Sequence, residues 1–400
     1  MSAGMTGTVG SGALLAILRD GRARTKTELV QATGVARSTV SARLDALLEQ
    51  GWAVPVEDPI SSGGRPAIAF AFNTRARVVL AADLGATHAR LAVTDLAATV
   101  IGERTAEVLI TDGPEKVLSW LVTALDELLT ETGHDLSRVC GLGVGLPGPV
   151  EHDTGRPVSP PIMPGWDGFD VAGWLSERLG FPVMVDNDVN IMALGEHWAT
   201  ESSVDQLIFV KIGTGIGGGI ITDGRVHRGA QGAAGDIGHI RTREAGENLV
   251  CRCGNTGCLE AVASGSALAA RLSAAGIPAA TSRDVVRLVR GGNGEAIRLI
   301  RQTGREIGDV LASIVSFFNP NVIVVGGDIG EAGEQLLAGI REVVYSRSLP
   351  LATQHLLIRT SRLGDRAGAI GAAVMVIESV LAPDAMDLAL QASTQAVKTS

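Results

Sequence analysis

Three cysteines within eight residues constrain this chain more than any other feature. The run Cys251-Arg252-Cys253-Gly254-Asn255-Thr256-Gly257-Cys258-Leu259-Glu260 places three thiols on one compact loop. The 400-residue chain has only four cysteines, which argues against a disulfide framework and for a metal site. Tetrahedral zinc wants a fourth ligand. His239, twelve residues before Cys251 in Gly235-Asp236-Ile237-Gly238-His239, is the candidate. Such a site has no open position, so the zinc is expected to be structural. Cys140 lies within a strand and reads as a core residue.

Three glycine turns follow buried-strand patterns. Val78 to Ala82 runs into Asp83-Leu84-Gly85-Ala86-Thr87, and Ala89 to Asp95 returns as a strand. Gly213-Thr214-Gly215-Ile216-Gly217-Gly218-Gly219 lies between strands Leu207 to Ile212 and Ile220 to Ile221. Gly326-Gly327 follows Val322 to Val325. Small-residue turns of this kind wrap a phosphate with backbone N–H groups while an acid such as Asp83 faces a metal. Each is common in ordinary sheets, but together they form a constellation. Two further strand ends carry polar chemistry. Val139 to Val144 leads into Gly145-Leu146-Pro147-Gly148-Pro149, and Val183 to Val185 leads into Asp186-Asn187-Asp188-Val189-Asn190. Asp188 suits a general base for a hydroxyl, and Asn187 suits an orienting group. Asp186 or Asn187 also serves as a helix cap.

Residues 11–50 read as three short helices, Ser11 to Leu18, Thr27 to Thr33 with Thr27 as N-cap, and Ala36 to Gln50. Gly34 makes the turn between the second and third, the signature of a helix-turn-helix. The third helix has Val40, Leu44, Leu47 and Leu48 on one face and Arg37, Ser38, Thr39, Ser41 and Arg43 on the other. Short polar residues and arginines near a helix N-terminus reach base edges and phosphates in a major groove. Trp52 to Val56 and Ala67 to Phe72 form the strands of a wing, with Gly64-Arg65-Pro66 at its tip. Arg65 held this way suits the narrow minor groove of A/T-rich DNA. Asn73 to Arg77 reads as the linker to the body.

Charge agrees with this division. The net charge is −9, yet residues 1–80 contain nine Lys/Arg against six Asp/Glu. A basic head on an acidic body points to a polyanion that meets the head only. No apolar run reaches the roughly 18 residues of a membrane span, and Met1 to Gly10 has no signal-peptide pattern. The expected location is the cytoplasm, with no membrane partner.

The assembled residues resemble the ROK family, named for repressors, open reading frames and sugar kinases. The match covers almost the whole chain. It rests on the His239 segment, the 251–260 run, Asn187-Asp188-x-Asn190, and the Asp83 and Gly213 loops. The N-terminal winged helix resembles the family's repressor branch. The resemblance implies an α/β protein, a winged helix-turn-helix over 1–76 followed by a two-lobed actin/hexokinase-like (ribonuclease H-like) body. It implies a first lobe over 77–190, completed by a C-terminal helix at 367–382, and a second lobe over 191–366 with the zinc site. Residues 383–400 read as a mobile tail. By resemblance, a sugar in the cleft meets Gly148, Asn187, Asp188, Asp236, His239 and Glu260. A nucleotide, where retained, meets Asp83, Gly85, Thr87, Gly213, Thr214, Gly215, Gly217, Gly326 and Gly327.

Three positions depart from the kinase pattern. The family's Gly-Glu-x-Gly-His reads Gly235-Asp236-Ile237-Gly238-His239, one methylene short. The loop Ser159-Pro160-Pro161-Ile162-Met163-Pro164-Gly165-Trp166 lacks the usual amide, and Ala86 replaces a loop glycine. The expected function is a DNA-binding transcriptional regulator, a repressor on double-stranded operator DNA, whose body senses a sugar or sugar-phosphate effector without turning it over. One helix-turn-helix per chain suggests a homodimer or homotetramer on a palindromic site. The alternative is an ATP-dependent hexose kinase, with Asp188 as general base and Mg-ATP on the glycine loops. A third reading is an adaptor with a vestigial cleft.

Overall fold

Local capping and apolar spacing set the head. In the computed structural model, which describes residues 10–57, 68–200, 204–242 and 249–399, α1 (Ser11–Leu18) buries Leu14, Leu15 and Leu18. Helix α2 (Lys26–Thr33) starts two residues earlier than the sequence suggests. Its N-cap is Thr25, which forms a reciprocal capping box with Glu28, so Thr27 is inside the helix. Gly34 ends α2 in the left-handed conformation at φ 69°. Helix α3 (Arg37–Glu49) buries Val40, Leu44 and Leu47. Strands β1 (Arg24–Thr25), β2 (Ala53–Glu57) and β3 (Ile68–Phe72) form an antiparallel sheet in the order β1-β3-β2. The wing tip, including Gly64, Arg65 and Pro66, lies outside the described residues.

The expected linker is tied down. Asn73 Nδ2 donates to the Gly51 carbonyl at 2.8 Å, Ala76 is buried, and the Arg77 guanidinium lies over the Trp52 ring at 5.2 Å. These contacts fix the angle at which the chain enters the body.

The body contains two five-stranded sheets with the same topology. The first runs β10-β7-β4-β5-β6, from β4 (Val78–Leu84), β5 (His88–Thr94), β6 (Val100–Glu107), β7 (Val139–Leu146) and β10 (Val183–Asn187). The second runs β13-β12-β11-β14-β15, from β11 (Gln206–Ile212), β12 (Ile216–Thr222), β13 (Arg225–Val226), β14 (Val322–Gly326) and β15 (Leu357–Thr360). In each, the first strand is central, antiparallel to the second and parallel to the fourth. The short β8 (Val150–Glu151) and β9 (Arg156–Pro157) pair separately. Helices α4 (Pro114–Glu131) and α5 (Val171–Leu179) cover one face of the first sheet. The second sheet packs against α7 (Leu259–Ala263), α8 (Gly265–Ala274), α9 (Ser282–Arg290), α10 (Gly294–Phe318) and α11 (Glu334–Arg347), with α12 (Pro350–Thr353) at the edge.

Two helices join the sheets. Helix α6 (Asp188–Ala199) packs on β11 and β12, and α13 (Ala367–Val380) packs on β4 and β7. They cross at two glycines. A Cβ on Gly195 would meet the Ala367 carbonyl at 2.3 Å, and one on Gly371 would meet the Ile191 carbonyl at 1.7 Å. Only glycine permits so close a backbone crossing.

Residues 383–399, expected as a tail, are helical. They form α14 (Pro383–Thr399), which packs on α1 and buries Met386 and Leu390. One apolar cluster runs from Leu14, Leu18 and Leu44 of the head through Met386 and Leu390 to Ala369 and Ile377 of α13. Apolar positions in a weakly patterned terminus gave no sign of this partner. Among the described residues, no single helix is long and apolar enough to cross a membrane.

Candidate functional site

The C-terminal strand ends of both sheets face one cleft of about 830 Å³. The ends of parallel strands are where open α/β sheets place ligands. From the first sheet come Asp83, Gly85, Gly148, Asn187 and Asp188. From the second come Lys211, the Gly213–Gly215 turn, Gly327 and Asp328, with Asp236, His239 and Glu260 along one wall.

Asn187 and Asp188 sit where β10 becomes α6. Asn187 caps the helix, accepting from the Val189 N–H at 2.9 Å, and its amide donates to the Gly148 carbonyl at 2.9 Å. Asp186 does not cap. Its buried carboxylate accepts from the Asn187 N–H, the Asn190 amide and Arg228 Nε at 2.7, 2.9 and 2.8 Å. Asp188 follows in the first helical turn, buried, with its carboxylate toward the cleft.

Lys211 is the residue that the sequence reading missed. Its Nζ is hydrogen-bonded and ion-paired to Asp188 Oδ2. A lone lysine in the apolar strand Gln206–Ile212 was the available signal, since a buried charge needs a partner. Burial opposes the Lys211 charge, but Asp188 and Asp83 outweigh it and raise its pKa. Burial pushes the Asp83 carboxyl up to about 7, against the pull of Lys211. His88, also missed, lies against Gly85, and burial lowers its pKa.

The second glycine loop is shorter than the sequence suggests. Gly217, Gly218 and Gly219 belong to β12 and pair with Lys211, Val210 and Phe209. A Cβ on Gly217 would meet Val189 Cγ2 at 2.8 Å, so this glycine packs on α6 as well as lining the cleft. Gly213, Thr214 and Gly215 form the turn. The Gly265 N–H donates to the Gly213 carbonyl at 2.7 Å, and Ser266 Oγ to that of Thr214 at 3.0 Å. Gly326 and Thr87 do not line the cleft. Gly326 makes room for Phe209, whose Cζ a Cβ would approach to 2.4 Å.

The loop without an amide is held by Trp166, fully buried, whose Nε1 donates to the Ile110 carbonyl at 3.0 Å. Ser159, Pro161 and Ile162 line the cleft.

The cysteine cluster adjoins the cleft. One ligand atom each from His239, Cys251, Cys253 and Cys258 lies within 4.8 Å of all the others. Cys251 Sγ is 3.7 Å from His239 Nδ1, and Cys253 Sγ is 3.7 Å from Cys258 Sγ. These four could hold a metal ion. Burial pushes the Cys258 thiol up to about 12, whereas the Asn255 backbone N–H lowers that of Cys253. His239 Nε2 is left facing Asp236, 3.8 Å away and too far for a hydrogen bond. Glu260 Oε2 accepts from the Ile216 N–H at 3.0 Å, and its Oε1 lies 3.9 Å from Cys251 Sγ. Glu260 thus bridges the cysteine cluster and the glycine turn. Cys140 is apart from all this, half-buried, with burial pushing its thiol up to about 11.

On the head, Arg37 and Ser38 are exposed in the first turn of α3, which has no side-chain cap. Its free N–H groups suit a phosphate. Thr39, Ser41 and Arg43 are half-buried beside them, and Arg43 Nη1 has no hydrogen-bond partner among the described residues.

Known proteins share both parts. The ROK family pattern matches residues 79–379, and the MarR family pattern matches residues 3–59. The xylose repressor of Caldicellulosiruptor bescii is 29% identical over 382 residues, 92% of this chain and 95% of that protein. A crystal structure of a ROK family transcriptional regulator, a homolog of the E. coli MLC protein, superposes with TM-score 0.80 at 26% identity, covering 96% of this chain and 98% of that one. A ROK family glucokinase from Streptomyces griseus, solved with glucose and AMPPNP, has TM-score 0.66 at 28% identity, covering 74% of this chain and 98% of that one. The second sheet, the cleft and the cysteine cluster all fall within the matched region, and the chain belongs to the ROK family.

Proposed function

We propose that this chain is a transcriptional repressor whose winged helix binds operator DNA and whose cleft senses a sugar or sugar phosphate. The observation that carries this reading is the whole-length likeness to a ROK transcriptional regulator, head included. In this reading residues 1–76 bind DNA, 77–190 with 367–382 form one lobe, and 191–366 form the other. Arg37, Ser38, Thr39, Ser41 and Arg43 enter the major groove, and Arg65 with Gly64 and Pro66 reaches the minor groove. The effector lies against Gly148, Asn187, Asp188, Asp236, His239 and Glu260. A homodimer or homotetramer acts on a palindrome, in the cytoplasm.

The metal in this reading is zinc with a structural role. Tetrahedral Zn–S bonds of about 2.3 Å set ligand sulfurs roughly 3.8 Å apart, which fits the 3.7 Å spacing of Cys253 and Cys258. Four ligands leave no coordination position for chemistry.

The kinase alternative is favoured by the likeness to a glucokinase and by the placement of Asp188. It is disfavoured by Lys211, whose ammonium already pairs with Asp188 Oδ2. Selection of binding sites from a random duplex pool tests the main reading. Full-length protein should enrich a palindrome and release it on addition of one sugar from a panel. Arg37→Ala should weaken binding, and binding should fall steeply with salt. ATP-dependent turnover of a hexose, lost in Asp188→Ala, would instead establish the kinase.

A further inference from the structure

Three carboxylates line the cleft around Lys211 and act on its charge. Asp83 is the last residue but one of β4, Asp188 begins α6, and Asp328 follows β14. Carboxylates gathered from both lobes are the usual means of holding the divalent ion that accompanies a nucleotide triphosphate. Here the chain supplies its own cation among them. Lys211 Nζ is ion-paired to Asp188, and the charges of Asp83 and Asp328 act on it as well.

Position explains why this lysine stays. Lys211 is the last residue but one of β11, paired with Gly217 on one side and Gly326 on the other. Both neighbours are glycines, so the stem runs without competition toward the cleft floor. Its Cε lies over Gly213, 3.8 Å from the position of a Cβ there. An ammonium carries one positive charge and three N–H donors. Near Asp188 it repels a second cation and occupies one of the two carboxylate oxygens, Oδ2. A Mg-nucleotide therefore does not fit this floor.

We propose that Lys211 is a built-in counter-ion standing where a phosphotransferase would hold its divalent metal, so that the cleft binds its sugar ligand on the Lys211–Asp188 pair without Mg-ATP. This deepens the sensor reading above and rests on it. A sugar hydroxyl is suited to such a pair, since it donates to the Asp188 carboxylate while accepting from the Lys211 ammonium. No bond is made or broken.

Mn²⁺ is the probe, followed by electron paramagnetic resonance on full-length, zinc-loaded protein, alone and with AMPPNP. Wild type should leave Mn²⁺ free at millimolar concentration. Lys211→Met should bind one Mn²⁺ per chain at least tenfold more tightly, Lys211→Arg should stay like wild type, and Lys211→Met combined with Asp83→Asn should lose the gain. Wild type that binds Mn²⁺ or Mn-AMPPNP stoichiometrically, with binding lost in Asp188→Asn, overturns the proposal. So does a folded Lys211→Met that gains nothing. Should Lys211→Met fail to fold, the wild-type measurement alone decides. Sugar-induced release of DNA is read separately. Its absence sinks the sensor reading, whereas Mn²⁺ binding by wild type sinks only the counter-ion.

Discussion

The Gly12 backbone N–H donates to the Asp387 carboxylate at 2.9 Å, joining the first helix of the DNA-binding head to the last helix of the chain. A Cβ on Gly12 would lie 2.1 Å from the Pro383 carbonyl, so the two helices meet backbone to backbone. Arg19 adds an ion pair to Glu378 at the end of α13. The head is thereby packed on α14 and tied to α13, the helix that crosses α6 between the lobes. This gives cleft and head a shared element, as coupling between distant sites requires.

Gly12→Val should separate α1 from α14. The steric conflict is with backbone, which cannot rotate away, so a cost of about 1–3 kcal/mol is expected. Hydrogen exchange should show deprotection of α1 and α14 with the second sheet unchanged. Uniform deprotection would mean that the contact is not local.

Glu196 should be a second point of sensitivity. It is fully buried in α6 and accepts from Arg359 Nη1 at 3.1 Å, from the Leu363 N–H at 2.8 Å and from Ser361 Oγ. Removing one partner of a buried pair strands the other charge, at about 3–5 kcal/mol. Glu196→Ala should therefore lower the urea midpoint strongly. Adding Arg359→Met should recover part of the loss, and an additive double variant would show that the two are not coupled.

Asp83 sets a pH dependence. Burial raises its carboxyl from 3.8 to about 7, so the folded protein holds this proton more tightly than the unfolded chain does. The stability gained is complete below about pH 3.8 and is lost as pH rises to about 7. Asp83→Asn cannot ionise. Its melting temperature relative to wild type should climb between pH 4 and about 7 and then level off, and a difference independent of pH would contradict the assignment.

Motif residues were legible in the sequence where chemistry demands a residue type at a fixed spacing. The cysteine run and His239 come together as the spacing implies, and Asn187 and Asp188 reach the cleft. Glycines were read less well, because sequence alone does not tell a phosphate turn from a packing gap. Gly326 fills the second role, against Phe209, whereas Gly217 packs on Val189 and also lines the cleft. Lys211 and His88 were passed over because each stands alone, with partners more than twenty residues away or in a turn read only for its glycine. Helix α14 was hidden for a different reason. Its few apolar residues acquire meaning only once α1 is beside them.

Cys258 carries the last prediction. It is almost fully buried, and burial pushes its thiol up to about 12, so an unaided thiolate is strongly disfavoured there. A bound divalent cation reverses that preference, and its binding energy becomes stability of the segment that supplies the ligands. In small domains this amounts to about 10–16 kcal/mol, but here the second sheet has its own apolar core and should survive without metal. Cys258→Ser should lower zinc from about one per chain to a small fraction by elemental analysis. Because Glu260 follows Cys258 by two residues and holds the Ile216 N–H, the loss should travel to the glycine turn. Exchange of the Ile216 amide should quicken, while amides of the head core around Leu44 keep their protection. Zinc-free native protein with a protected Ile216 amide would show that the cluster is held by packing alone.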